Sequence, residues 1–187
     1  PTATLPIFHA LFATGAELAP RDPAIAGQTL VYLNGNDFPV AYSKVIREQT
    51  EPQTAPRRVA MLTGMSSAAT FARVDDRTLE ARLDDGLLPQ PFDELMRNAD
   101  LPFTVGETVA MADFDVTIEA VDERGQATVI TYRFDEPLES PTYRFVAWTA
   151  EGLVETGPPA VGSLVELPAM SLIEAAWAQP REAGGVS

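Results

Sequence analysis

The sequence predicts an α+β domain that is mainly β, its antiparallel strands closed into a small barrel or sandwich with two to four short helices. Three observations carry this expectation. Apolar and polar residues alternate in Thr78–Leu83, Phe114–Ala120 and Thr128–Phe134, strictly so in the first two and from Ile130 in the third. Period-two alternation gives each strand one wet and one dry face, and half-wet sheets must close on each other to bury the dry ones. Turn chemistry punctuates these runs, as at Asp84-Asp85-Gly86 and Asp122–Gln126, while helical-period stripes are few and short.

In chain order, residues 1–27 form a lead-in punctuated by Pro, Ala and Gly. It carries one short helical stripe, Ile7, Phe8, Leu11 and Phe12, before Pro20, Pro23 and Gly27 break the pattern. Residues 28–168 form one β-rich domain. Gln28–Leu33 contains the apolar run of a buried strand, and Asn34-Gly35-Asn36-Asp37 is a strong turn. Asp37 suits the N-cap of a helix over residues 39–49, with Pro39 tolerated in its first turn and Tyr42, Val45 and Ile46 on one face. Such a strand–turn–helix unit can begin a parallel fold. No second pair follows, so the expectation is a helix laid on a mainly antiparallel sheet.

Arg58–Thr63, Thr70–Val74 and Thr78–Leu83 are the next strands. Pro91–Asn98 is predicted as a short helix with Phe92, Leu95 and Met96 inward and Asp93 and Glu94 favoured in its first turn by the helix dipole. From Leu101 to Pro168 the pattern is β throughout: Thr108–Met111, a hairpin of Phe114–Ala120 and Thr128–Phe134, then Tyr143–Trp148 and Gly162–Leu167. Val105-Gly106-Glu107-Thr108-Val109 and Val161-Gly162-Ser163-Leu164-Val165 share a cadence, each a turn that launches an edge strand. Residues 169–187 make a short C-terminal helix and a loose tail. The capping box Ser171-x-x-Glu174 precedes Ile173 and Trp177, and Pro180 stops the helix.

Composition narrows the function classes. With 187 residues, 45% hydrophobic and 21% charged, the chain is ordinary globular material. A net charge of −14 and an isoelectric point near 4.3 argue against nucleic acid and against direct binding to an anionic membrane, since both require a basic face. There is no cysteine, so neither a disulfide framework nor a thiolate metal site exists. No apolar run reaches the length of a membrane span. The start at Pro1, with no initiator methionine and no signal-peptide pattern, fits a piece of a longer chain.

Chemistry near neutral pH usually uses a tuned His, Lys or Cys, or a carboxylate pair. Here one histidine (His9) and one lysine (Lys44) stand alone, and Gly64-Met65-Ser66 is no nucleophile elbow. No catalytic residue, metal site or cofactor is therefore predicted. Asp75-Asp76, Asp84-Asp85, Asp113 and Asp115 lack an EF-hand register and read as turn residues. The ligand-binding candidates are Asn34, Asn36 and Asp37, where a strand end meets a helix start, and Arg73, an anion anchor if it enters a pocket. The competing expectation for Arg73 is a structural network with Arg77, Asp75, Asp76, Glu80 and Asp84, with Arg73 on the same strand face as Phe71. Trp148, Tyr132, Tyr143 and Phe145 read as core and cross-strand residues before they read as a groove.

Three stretches carry a likeness: Thr29–Asn36 with its helix, Arg57–Gly86 containing Arg73-Val74-Asp75-Asp76-Arg77-Thr78-Leu79, and Val105–Pro168 containing Pro158-Pro159-Ala160-Val161-Gly162. Over about residues 28–168 the chain resembles the C-terminal soluble region of uncharacterised multispanning bacterial membrane proteins. The resemblance implies an extramembrane domain that follows a helical membrane region, on the periplasmic or cell-surface side. It transfers no site residue. The expected function is a non-catalytic extracytoplasmic interaction or structural module, its partner another protein or the membrane region of its own parent chain. The alternative is an accessory domain of a membrane-bound hydrolase or transferase, binding a small polar ligand at Asn34–Asp37.

Overall fold

The computed structural model describes residues 19–88 and 101–171, with the side chains of residues 37–39 and 41 left aside. Ten strands and one α-helix fall within them: β1 Thr29–Gly35, α1 Asp37–Thr50, β2 Arg58–Gly64, β3 Ala69–Arg73, β4 Thr78–Leu83, β5 Thr108–Ala110, β6 Phe114–Val121, β7 Ala127–Phe134, β8 Tyr143–Thr149, β9 Gly152–Thr156 and β10 Leu164–Leu167. Two 3-10 turns, Pro23–Gly27 and Pro52–Thr54, flank the β1–α1 unit. The stripe at residues 7–12, the helix at 91–98 and the C-terminal helix lie outside the described residues, so one α-helix stands there in place of the two to four expected.

The strands form two sheets, ordered β2-β1-β8-β9 and β10-β3-β4-β7-β6-β5. Neither closes into a barrel. Every pairing of the six-stranded sheet is antiparallel, as the alternation predicts. The four-stranded sheet corrects that expectation: β1 runs parallel to both β2 and β8, and only the β8–β9 hairpin is antiparallel. Parallel neighbours need a crossover, which α1 supplies between β1 and β2. The partner β8 arrives after the chain has built most of the other sheet, which is why no repeated strand–helix pair announces it. A central parallel strand is covered on both faces, and all seven residues of β1 are buried.

Alternation along β1 then sorts the core into two layers. Val31 and Leu33 face the six-stranded sheet and pack with Phe71, Leu79, Ile130 and Phe134. Leu30 and Tyr32 face the other way, with Val40 of α1, Val146 and Trp148. The order through the molecule is helix, four-stranded sheet, six-stranded sheet, and the outer face of the last is wet. Among the described side chains of α1 the buried ones are Val40, Ser43 and Arg47, whereas Tyr42 and Val45 are about half exposed. The predicted apolar face is thus not the packed one. Arg47 explains the rotation. It is only 2% exposed and donates to the carbonyl oxygens of Ala19, Pro20 and Thr54, tying the incoming chain and the Pro52–Thr54 turn to the helix.

Two tyrosines fasten one sheet to the other. Tyr132 of β7 donates its hydroxyl to the Leu62 carbonyl on β2, and Tyr143 of β8 donates to the Asp113 carbonyl (3.2 Å) at the start of β6. Phe134 stands between them, its ring centroid 5.0 Å from those of Phe114 and Tyr143. The shared cadence at Val105 and Val161 is realised in full. Each glycine has a positive φ (83° at Gly106, 79° at Gly162), and β5 and β10 are the two edges of the six-stranded sheet. In both turns the residue after the glycine donates back three positions, Glu107 N to Thr104 O (2.9 Å) and Ser163 N to Ala160 O (2.9 Å). Glycine at the third position of such a turn supplies the conformation that side chains resist.

Candidate functional site

The site expected at the end of β1 separates into parts with different duties. Asn34 is 1% exposed, and its carboxamide is spent on backbone: Oδ1 accepts from Trp148 N (2.8 Å) and Nδ2 donates to Trp148 O (3.1 Å). The last direct β1–β8 pair is Tyr32 with Val146, so Asn34 extends that ladder by side chain where the backbones part. Asn36 is half-buried and lines a cleft. Asp37 opens α1, where Val40 N donates to Asn36 O (3.1 Å), and its side chain lies outside the described set.

Arg73 stands at the far end of β3 from this cleft. It shares its strand face with fully buried Phe71, which is the core face and not the less apolar one. Its side chain is 6% exposed, and it forks onto Glu139, with Nη2 to Oε2 at 2.8 Å. Nε donates to the Asp75 carbonyl (2.8 Å), and the Asp76 and Pro159 carbonyls complete its set (3.3 Å each). The hydrogen bond to Glu139 raises the Arg73 guanidinium, and the same bond holds the Glu139 carboxyl below the usual carboxylate range. Arg73 therefore pins the 75–76 turn and the loops at 139 and 159 together. Its partner is a carboxylate 66 residues away, not one of its neighbours in sequence.

The acidic pairs do not converge. Among the described residues no group of three or more His, Cys, Asp or Glu is placed to hold a metal ion. The Asp75 carboxylate accepts from Arg77 N (2.8 Å) within its own turn. Asp113, 8% exposed, accepts from Thr29 Oγ1 (2.7 Å), Arg57 Nη2 (2.9 Å) and Arg58 Nη1 (2.7 Å), joining β1 and β2 to β6. His9 lies outside the described residues. Trp148, Tyr132, Tyr143 and Phe145 are all buried in the core.

What the geometry does assemble is a cleft of about 680 Å³ beside β2, reaching the C-terminal ends of β1 and β2. Four of the chain's five methionines line it: Met61, Met65, Met111 and Met170. Phe114, Val116 and Tyr132 of the six-stranded sheet also line it, and Asn36, Thr63, Ser66 and Ser171 add neutral polar groups. No charged side chain is among its described lining residues. Thr63 Oγ1 is committed to the Leu33 carbonyl (2.9 Å). The Tyr132 hydroxyl is committed to Leu62, and burial pushes its ionisation well above the usual tyrosine value, so it remains a neutral donor. The described lining can therefore enclose an apolar group. Volume and lining match what small-ligand and side-chain pockets require. Methionine, unbranched and polarizable, fits itself to irregular apolar shapes.

The sequence marks this site only by scattered methionines at strand ends and turns, a signal with no meaning until the topology brings them together. No protein family, no curated protein and no solved structure matches the chain. Among the described residues, no helix is long and apolar enough to cross a membrane.

Proposed function

We propose that the domain is a non-catalytic interaction module, the extracytoplasmic portion of a bacterial membrane protein, and that its binding site is the methionine-lined cleft beside β2. The observation that carries the binding role is an uncharged, largely apolar opening in a chain of net charge −14. The polar-ligand reading keeps Asn36, which lines the cleft, but Asn34 is engaged by Trp148 and Arg73 by Glu139 at the other end of β3. The placement rests on the likeness over residues 28–168.

The test is titration with N-phenylnaphthylamine, a neutral apolar fluorophore. One saturable site is expected. Met111→Asp puts a charge at a half-exposed lining position, and desolvating it costs more than 1.4 kcal/mol, so affinity should fall by at least about tenfold. No saturable binding, or binding indifferent to Met111→Asp, would refute the reading.

A further inference from the structure

The two sheets are unequal, and the inequality has a location. Tyr132 of β7 reaches the Leu62 carbonyl on β2, so these two strands meet across the space between the sheets. In the six-stranded sheet, β6 and β5 continue outward from β7, while β2 ends the four-stranded sheet among the described residues. Phe114 and Ile118 of β6 are still buried in the core, whereas β5, the outermost strand, is exposed along its whole length.

On β5 the dry face is exposed as well as the wet one. Thr108 and Thr117 share the wet face, their hydroxyls 3.3 Å apart. Val109 pairs directly with Val116 and so lies on the opposite face, together with Met111 two residues on. This is the face that elsewhere packs into the core, yet Val109 is 48% exposed and Met111 54%. Inward-facing apolar residues at strand spacing, beside an edge strand, are what remains when a sheet lacks a strand.

We propose that the cleft is a strand-acceptor site: an extended segment of a partner protein, apolar on alternate residues and flanked by basic ones, lies along the outer edge of β2 and covers Val109, Met111 and Val116. This rests on the module reading above. An extended segment is preferred to a helix because it alone offers backbone groups to the β2 edge while its alternate side chains enter the cleft. The basic flanks follow from charge. The described lining is neutral, the chain carries −14, and exposed Asp84 and Asp85 stand just before Leu87 and Leu88 at the rim. Arg57 and Arg58, at the start of β2, are drawn to Asp113. A partner segment with acidic flanks would meet repulsion from the whole domain.

The probe is an alternating threonine–valine peptide of about eight residues with lysine pairs at both ends, labelled for fluorescence anisotropy. Its control carries serine at every valine position. Saturable binding of the first is expected, with slowed amide exchange at Met61–Gly64, displacement of N-phenylnaphthylamine, and at least tenfold weaker binding of the control. Val109→Asp and Met111→Asp should each weaken the peptide by a similar factor. Both positions are half exposed, so the fold survives, as near-ultraviolet circular dichroism will report. If the fluorophore binds and the peptide does not, or the peptide binds without protecting β2, the strand-acceptor inference falls and the module reading stands. If neither binds, both fall.

Discussion

Replacing Asn34 with alanine isolates the duty of the residue that the sequence offers as a ligand. The substitution leaves Trp148 N and Trp148 O, both in the buried helix-side layer, without the partners now at 2.8 and 3.1 Å. An orphaned buried backbone group costs about 1–3 kcal/mol, so the pair should cost roughly 2–5 kcal/mol. In a domain of this size each kcal/mol lowers the melting temperature by about 2–4 °C, which puts the fall near 5–15 °C. Asn34→Asp sharpens the argument. A protonated carboxyl reproduces the asparagine pattern, donating to Trp148 O while accepting from Trp148 N. A carboxylate sets negative charge against the Trp148 carbonyl in a site 1% exposed, so its folded pKa is raised. Stability conferred by the protonated form is full below the unfolded pKa of about 3.9 and is lost as pH rises through the raised folded value. Urea denaturation across pH, read beside the fluorophore titration, is the assay. Asn34→Asp should approach the wild type in acid and separate from it at neutral pH, and Asn34→Ala should keep full affinity for the fluorophore. A melting temperature within a degree of wild type for Asn34→Ala would refute the ladder-extension argument. Loss of fluorophore binding with an unchanged melt would restore Asn34 as a ligand residue.

Four further outcomes are expected. Arg73→Ala should lower the melting temperature by several degrees at both low and high salt, because three carbonyl partners are lost along with Glu139. Glu139→Gln should cost less and should flatten the acid limb, since a carboxyl held low in the folded state stabilises above its unfolded pKa and loses that contribution as pH falls through the folded one. Burial raises Tyr32 to about 12, so stability should be full below the unfolded tyrosine pKa, about 10, and fall as pH climbs toward 12; Tyr32→Phe should flatten this alkaline limb in denaturant titrations. Gly106→Ala and Gly162→Ala should each cost about 1–2 kcal/mol by thermal melting although open space surrounds both, whereas Gly27→Ala, equally open and with negative φ, should be neutral or slightly stabilising.

The six-stranded sheet was legible because its alternation is a local signal: β4, β6 and β7 fall within a residue or two of where Thr78–Leu83, Phe114–Ala120 and Thr128–Phe134 place them. The parallel centre was not. Its evidence is the continuous burial of Thr29–Gly35, and a buried apolar run has the same appearance whether its neighbours are parallel or antiparallel. Strand β9, Gly152–Thr156, went unpredicted because its run is short and lies in a hairpin closed at Thr149 and Gly152. The face of α1 was misjudged for a different reason. Hydropathy assigns Tyr42 and Val45 inward, whereas the buried position at Arg47 exists to satisfy the carbonyls of Ala19, Pro20 and Thr54, which no periodicity encodes. Among the site residues, strand-end placement brought out Asn34 and Asn36, but only the structure could say that one faces Trp148 and the other the cleft.

Among the described residues every deeply buried charged side chain is answered: Asp113 by two arginines, Arg73 by Glu139, and Arg47 by three carbonyls. These clamps lie at the start of β2, at the far end of β3 and under α1. The remaining corner, where β1 and β2 end near Met111 and the start of β6, carries no such clamp among the cleft's described lining residues. Instead it holds methionines, whose flexible thioethers fill space without fixing a single shape. A purely structural corner would be expected to use branched residues with defined rotamers, as β1 and β4 do with Leu30, Val31, Leu79 and Leu83. Replacing Met61 and Met111 together by leucine therefore separates the two roles. If the corner only fills space, the double variant should melt at or above the wild-type temperature and bind the fluorophore as before. If adaptability serves binding, stability should again hold while affinity falls for the peptide more than for the small fluorophore, because the larger occupant demands more rearrangement of the lining. A drop in stability with unchanged affinity for both probes would contradict the assignment of these methionines to binding.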